Sequence, residues 1–246
     1  MELQVATYNV HRCIGRDGIQ DVARCFRVIE ELDADIIGLQ EVDGNMQSGA
    51  GKELLERAKD SGYSVEHGVT LRRSDADFGN ALLSRVQILR CEFHDISVPH
   101  SEPRGVISAS LVAGNHHLRI LATHFGRRSK ERRMQAIRLA SLIGTENTDT
   151  MVLMGDFNEW HPFAFSIRLL RDIFGNIPAP ESYPARLALL RLDRIWVRPP
   201  EGLRQIQAHR SILACSASDH LPVVARIALA LEGPDRTGRN QQTAER

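Results

Sequence analysis

The sequence predicts a single α/β domain in which two β-sheets pack on each other with helices outside. Three observations predict it. Hairpin-like strand pairs and amphipathic helices are mixed through both halves of the chain, so sheets and helices share one core. A strand–helix–strand unit opens the sequence. No linker divides the 246 residues, a length that one large core can occupy. An apolar fraction of 42% with 25% charged residues is ordinary for a globular domain.

Taken in order, Leu3 to Val10 reads as a first strand ending near Asn9 and His11, and Gly15 to Gly18 as a loop. Val22, Phe26, Ile29 and Leu32 then recur at helical spacing behind Asp21, and Asp33-Ala34-Asp35 breaks the helix. Ile36 to Leu39 is a short buried strand that delivers Gln40 and Glu41 to its exit. Gly44 to Gly51 is a loop, Glu53 to Asp60 a mostly polar helix, Tyr63 to Val69 a strand, and Leu71 to Asp77 a charged, exposed loop. Gly79 to Ser84 and Val86 to Phe93 are strands joined near Arg85. Gly105 to Val112 and His116 to Thr123 form a hairpin turning at Gly114-Asn115.

Ser129 to Ile143 is an amphipathic helix, with Met134, Ile137, Leu139 or Ala140, and Ile143 on its apolar side. Met151 to Met154 is a buried strand running into Gly155, and the alternation of an extended chain sets Asp156 and Asn158 on one side. His161-Pro162 opens a helix through Leu170, Leu192 to Val197 is a strand with Trp196 in the core, and Leu221 to Leu229 is the last strand. From Glu232 the chain is polar without an apolar anchor. The expectation is a domain over 1–231 and a disordered tail over 232–246.

A formal net charge of zero gives no global field toward nucleic acid or an anionic membrane, so any polyanion recognition is local. The basic residues are nearly all Arg, with Lys52, Lys59 and Lys130 the exceptions, which suits phosphate recognition or a compositional bias. Cys13, Cys25, Cys91 and Cys215 form no C-x-x-C pair and fit a reducing compartment. A strand-like run begins at residue 3, so no leader is expected ahead of it, and no apolar run reaches membrane-spanning length. A soluble, cytoplasmic protein, most simply a monomer, is expected.

The strand exits supply an ordered set: Asn9, Glu41, His124, Asp156, Asn158, Asp193, Asp219 and His220. Each has a plain reading. Gly, Asp and Asn are turn residues, Glu41 is a solvated strand end, Asp193 holds a backbone amide, and His124 is a packed histidine. Eight such coincidences at successive strand ends are harder to accept than one site. Oxygen ligands without cysteine favour Mg²⁺, with Mn²⁺ or Ca²⁺ as substitutes, and two histidines add acid–base capacity near neutral pH. Together these are the parts of metal-assisted phosphodiester hydrolysis.

Tyr8-Asn9-Val10, Leu39-Gln40-Glu41-Val42, Gly155-Asp156-Phe157-Asn158 and Ser218-Asp219-His220 resemble the motifs of the endonuclease/exonuclease/phosphatase family, in the family's order. Gly79-Asn80-Ala81-Leu82-Leu83-Ser84-Arg85, Pro103-Arg104-Gly105, Thr123-His124 and Arg132-Arg133-Met134-Gln135 extend the match. The resemblance implies a DNase I-like four-layer sandwich of two mixed sheets flanked by helices, with the site at one rim. It implies Glu41 as the main metal ligand, with Asn9 and Asp219. Asp156 and Asn158 would orient the phosphate and nucleophile, and His220 would work as a pair with Asp193. His124 would sit opposite, with Asp77 as its carboxylate partner.

The departures bear on substrate. There is no Lys after Gln40-Glu41, and His124 stands where abasic-site endonucleases of the family carry Tyr, so DNA repair is not expected. Thr123-His124 is shared with sphingomyelinase-like and inositol-phosphate members. Arg104, Arg127, Arg128 and Trp160 are the candidate substrate contacts, with Arg72-Arg73, His161 and Tyr183 nearby in the reading. The expected activity is a Mg²⁺-dependent phosphodiesterase, a nuclease ahead of a phospholipid-headgroup or small phosphoester hydrolase. A catalytically silent binding module is the contrasting reading, and no metal or base residue is missing to favour it.

Overall fold

The computed structural model describes residues 1–44, 49–72, 77–144 and 148–229, except the side chains of residues 43, 44, 71, 72, 77 and 78. The expected tail lies outside these residues. Among the described residues, eleven strands and five α-helices follow in the order β1 (Glu2–Asn9), α1 (Val22–Leu32), β2 (Ile36–Gly44), α2 (Ala50–Asp60), β3 (Ser64–Arg72), β4 (Asp77–Ser84), β5 (Gln87–Asp95), β6 (Gly105–Ala113), β7 (His116–His124), α3 (Ser129–Ile143), β8 (Thr150–Asp156), α4 (Phe165–Phe174), β9 (Asp193–Arg198), β10 (Leu203–Ala208), α5 (Ala214–Ala217) and β11 (Val223–Ala228).

The strands form a six-stranded sheet, β10-β11-β1-β2-β4-β3, and a five-stranded sheet, β5-β6-β7-β8-β9. Both are mixed: β1 runs parallel to β2 and antiparallel to β11, while β7 runs parallel to β8 and β8 antiparallel to β9. Each parallel step crosses over through a helix, α1 in the first sheet and α3 in the second. One core joins the facing sides of the two sheets and continues to α3 and α4. The other lies between the six-stranded sheet and α1 and α2. The result is the four-layer α/β sandwich.

Alternation along the strands carries this layering to the site. On β1, Leu3 and Val5 belong to the core between the sheets and Ala6 and Tyr8 to the core under α1 and α2, so Asn9 shares the parity of the inner face. A Cβ on Gly38 of β2 would come within 2.9 Å of the Met154 sulfur and 3.3 Å of the Ala122 Cβ, so Met154 and Ala122 point across the gap between sheets. Asp156 and His124, two residues further on, point the same way. The pleat thus aims all three polar side chains into the seam, at one rim.

Helix starts follow local chemistry. Asp21 accepts the N–H of Arg24 at 2.8 Å and caps α1. Asp21→Ala is expected to cost about 1 kcal/mol, read as a lower urea midpoint with unchanged slope.

Several boundaries differ from the sequence reading. Met134 and Ile137 are exposed, and α3 instead buries Glu131, Arg132, Gln135, Ala136, Leu139 and Ile143. Leu139 and Ile143 are buried as expected, and two charges and an amide with hydrogen-bond partners of their own take the places of Met134 and Ile137. Pro162 lies in a turn, and α4 starts only at Phe165. The expected loop over 71–77 is partly strand: β3 runs to Arg72 and β4 begins at Asp77, with 73–76 outside the described residues. Strand β10 was not foreseen, since its alternation is partial and Gln-rich.

Candidate active site

At the rim where β1, β2, β7 and β8 end, one carboxylate oxygen organises the neighbours. Asp156 Oδ2 accepts from Asn9 Nδ2 at 3.0 Å and lies 3.4 Å from His124 Nε2 and 3.8 Å from His220 Nε2. The Asn9–Asp156 bond joins the two sheets. Asn9 Nδ2 also donates to Glu41 Oε1 at 3.1 Å, and Asn9 Oδ1 accepts the His11 N–H at 3.0 Å, which fixes the amide's orientation. Ser218 Oγ donates to the Asn9 carbonyl at 2.7 Å and brings the Ser218-Asp219-His220 turn to the end of β1.

His220 Nδ1 meets Asp193 Oδ2 at 2.8 Å, and the same oxygen accepts from Ser182 Oγ at 2.5 Å. The Tyr183 ring lies 4.8 Å from the imidazole. Burial alone would lower His220, but the carboxylates of Asp193 and Asp156 outweigh it and lift it to about 10. Burial pushes the Asp156 carboxyl up to about 6. His124 moves the other way: burial, with the Arg104 cation beside it, holds it well below the usual imidazole range. Asn158 Nδ2 donates to the Phe125 carbonyl at 2.9 Å and meets His124 Nε2 at 3.1 Å. A neutral His124 with its proton on Nδ1 satisfies that contact.

These shifts set a pH dependence for the metal-free fold. Between pH 7 and 8.5 the unfolded chain has released the His220 proton and the folded chain keeps it, so stability falls as pH rises. The expected slope in EDTA approaches one proton, and His220→Asn should flatten it. Thermal unfolding across that window checks it.

Two site residues sit in the left-handed region, Glu41 at φ 57° and Asn158 at φ 49°. Glu41 falls where the β2–β4 register slips between Leu39 and Val42, so a bulge turns it toward the rim. Asn158 lies beyond the end of β8. It reaches the site by this backbone turn and not by the expected strand alternation. Gly155 has φ +153°, and a Cβ there would stand 1.9 Å from the Thr123 carbonyl oxygen. Glycine therefore lets β8 press against β7 one residue before Asp156.

The turn carrying Asn158 is held by charges the sequence reading did not assign. Glu159 is buried and accepts from Arg132 Nε at 2.9 Å and from the His161 N–H at 3.1 Å. Its carbonyl accepts from Arg194 at 3.3 Å. Arg132 also donates to the Arg127 carbonyl, and Gln135 Oε1 accepts the Gly126 N–H at 2.8 Å. The Arg132-Arg133-Met134-Gln135 motif thus pins both loops that follow His124 and Asp156. The signals were the motif itself and a Glu directly after Asn158.

All eight expected polar residues meet at this rim. Arg104 is buried, its Nη1 on Glu102 at 2.8 Å and its Nε without a hydrogen-bond partner among the described residues. Arg127 is exposed and, like Arg104, bears electrostatically on His124. Arg128 is exposed and faces Glu131 at 3.7 Å, and Trp160 is 57% exposed at the site's flank. The side chains of Asp77 and Arg72, and all of Arg73, lie outside the described residues.

Glu41 and Asp219 offer oxygen ligands at the rim, Glu41 bound to Asn9 and Asp219 3.7 Å from His11 Nδ1, a donor set that fits a hard cation. Asp156, Asp193 and His220 also bring ligand atoms within 4.8 Å of one another, close enough to hold a metal. A metal held there would displace the proton that His220 shares with Asp193. No described helix is long and apolar enough to cross a membrane. All four cysteines are free thiols.

The chain is 28% identical to YbhP of Escherichia coli K12, described as uncharacterized, over 92% of this chain and 96% of YbhP. Its fold matches an endonuclease/exonuclease/phosphatase from Beutenbergia cavernae with a TM-score of 0.77, at 20% identity, over 93% of this chain and 72% of that one. It also matches D. rerio TDP2 complexed with a single-strand DNA product, with a TM-score of 0.67 at 17% identity, over 92% and 99% of the two chains. The Endonuclease/Exonuclease/phosphatase family pattern covers residues 6–220, and this chain belongs to that family.

Proposed function

We propose that this protein is a metal-dependent phosphodiesterase. The observation that carries the reading is the single Asp156 oxygen set among Asn9, His124 and His220, beside the Glu41 and Asp219 carboxylates. Glu41 and Asp219 would hold Mg²⁺, or Mn²⁺ or Ca²⁺ in its place, with Asn9 orienting Glu41. The cation, when bound, neutralises charge on a phosphoryl oxygen.

The protein's own groups divide the remaining work. Asp156, with a proton affinity raised toward neutrality, orients the attacking water and accepts its proton. His220, kept protonated by Asp193, stabilises the negative charge that builds on the phosphorus oxygens. The Asn158 amide, its two N–H groups on the Phe125 carbonyl and on neutral His124, positions that imidazole beside Asp156. Arg104, with an unpartnered Nε, supplies a further cationic donor.

For the substrate, the exposed Arg127 and Arg128 beyond His124 suit any phosphate-bearing polyanion, and nucleic acid is one reading, since TDP2, similar in fold, was solved with a DNA product. A phosphodiester presented at a lipid surface is the second reading, favoured by exposed apolar side chains at the rim. Unpaired thiols are in keeping with a cytoplasmic location.

The test is hydrolysis of bis-p-nitrophenyl phosphate. Turnover is expected with Mg²⁺ or Mn²⁺ and none in EDTA. Glu41→Ala should need far more metal for half-maximal rate, with calorimetry reporting weaker Mg²⁺ binding to the same variant. Metal-independent turnover, or Glu41→Ala with native metal affinity, would reject this site.

A further inference from the structure

The loops that leave the ends of β8 and β9 are unusually apolar on the outside. Trp160 and Phe163 follow β8 and are 57% and 70% exposed; Leu187 and Leu189 precede β9 and are 60% and 67% exposed. Scattered exposed apolar residues are common, but these four are concentrated on two loops at one end of the same strand pair. The loops emerge side by side because β8 and β9 are paired, with Asp156 opposite Asp193 and the Phe157 N–H on the Leu192 carbonyl at 2.9 Å.

These side chains stand on ordered backbone. The Leu187 and Leu189 N–H groups bond the Pro184 and Tyr183 carbonyls at 2.9 and 2.8 Å, and the Ala185 N–H bonds the Asp219 carbonyl at 2.7 Å. His161 knits the other pair, its ring 5.6 Å from that of Trp160 and 5.9 Å from that of Phe163. Both loops are tied to the catalytic residues, through Asp219 on one side and Asn158 on the other. Exposed arginines flank the patch: Arg186 within one loop, and Arg127 and Arg128 past the end of β7, the neighbour of β8.

From this placement we infer that the β8–β9 rim docks on an anionic phospholipid bilayer and presents a headgroup phosphodiester to the site. The choice of substrate rests on the phosphodiesterase reading; the docking surface does not. Amphipathic rings and aliphatic side chains enter the headgroup boundary, and arginines above them meet lipid phosphates. A polynucleotide explains less of the pattern. Leu187 and Leu189 have no π-face on which a base could stack.

The chain has two tryptophans, and Trp196 is buried, so Trp160 is a local reporter. The experiment adds vesicles of phosphatidylcholine, with or without phosphatidylglycerol, to the full chain in EDTA and records tryptophan emission and co-sedimentation. The expected result is a blue shift and sedimentation with phosphatidylglycerol, and no shift in Trp160→Phe. Leu187→Ser/Leu189→Ser should bind about tenfold more weakly while hydrolysing soluble bis-p-nitrophenyl phosphate at the native rate when metal is restored.

Absence of both signals overturns the proposal, as does native binding by the double serine variant. Quenching of Trp160 by a single-stranded oligonucleotide, with vesicles inert, would assign the patch to nucleic acid. A concentration-dependent dimer abolished by the serines would assign it to a second copy. Because partition is read without turnover, a chain that binds vesicles but hydrolyses no phosphodiester would reject the catalytic reading and leave the surface standing.

Discussion

His220→Ala is expected to lower kcat for phosphodiester hydrolysis by about 10³-fold, with KM changed far less. The imidazole is buried, its Nδ1 held by Asp193 at 2.8 Å and its Nε2 turned toward Asp156 at 3.8 Å. Such a group acts on charge that develops during the reaction more than on ground-state binding. Asp193→Asn should cost about 10²-fold, because it removes the charge that keeps the imidazole protonated while preserving the shape of the contact. The two losses should not add, since both act through one imidazole. Single-turnover kinetics on the two variants and their double mutant measures this. A His220→Ala enzyme within tenfold of native would remove His220 from the mechanism.

Arg132→Ala is expected to destabilise the fold by about 3–5 kcal/mol, because it leaves Glu159 charged and buried without its partner. The pair lies at 2.9 Å with both side chains nearly inaccessible. Replacing both members, as in Arg132→Met/Glu159→Leu, should recover much of that stability, since no carboxylate is left buried without its cation. Turnover should not recover with it. The pair sets the turn that puts Asn158 at φ 49° beside His124, and an apolar pair has no bond to the Arg127 carbonyl or to the His161 N–H. Denaturant unfolding alongside kcat separates the two effects. Recovery of both together would reduce Arg132 and Glu159 to packing residues.

The sequence was most readable where geometry repeats. Alternation on β1, β7 and β8, the Asp21 cap and the Gly114-Asn115 turn follow from local rules, and the strand exits named the eight polar residues of the site. The α3 face was legible at Leu139 and Ile143 but not in its first turns, because periodicity counts apolar residues, whereas Arg132, Gln135 and Glu131 are buried on Glu159, the Gly126 N–H and Ser101. Asn158 reached its expected place for a different reason, since no alternation pattern announces a non-glycine residue with positive φ. The bulge at Glu41 was equally hidden, because it exists only against β4. Ser182 escaped notice because its loop has no period at all, although its hydroxyl holds Asp193.

The order of the six-stranded sheet has a consequence for synthesis. β1 lies between β2, which follows it closely, and β11, which arrives last, with Glu2 paired to Ala228. Until Val223 and its successors emerge, one edge of β1 stays open, a template for association with other chains. The same last step delivers His220 to Asp193 and Asp156. On the phosphodiesterase reading, a nascent chain is therefore both without its catalytic imidazole and most prone to aggregate until β11 closes the sheet, and solubility and activity should be acquired at the same moment.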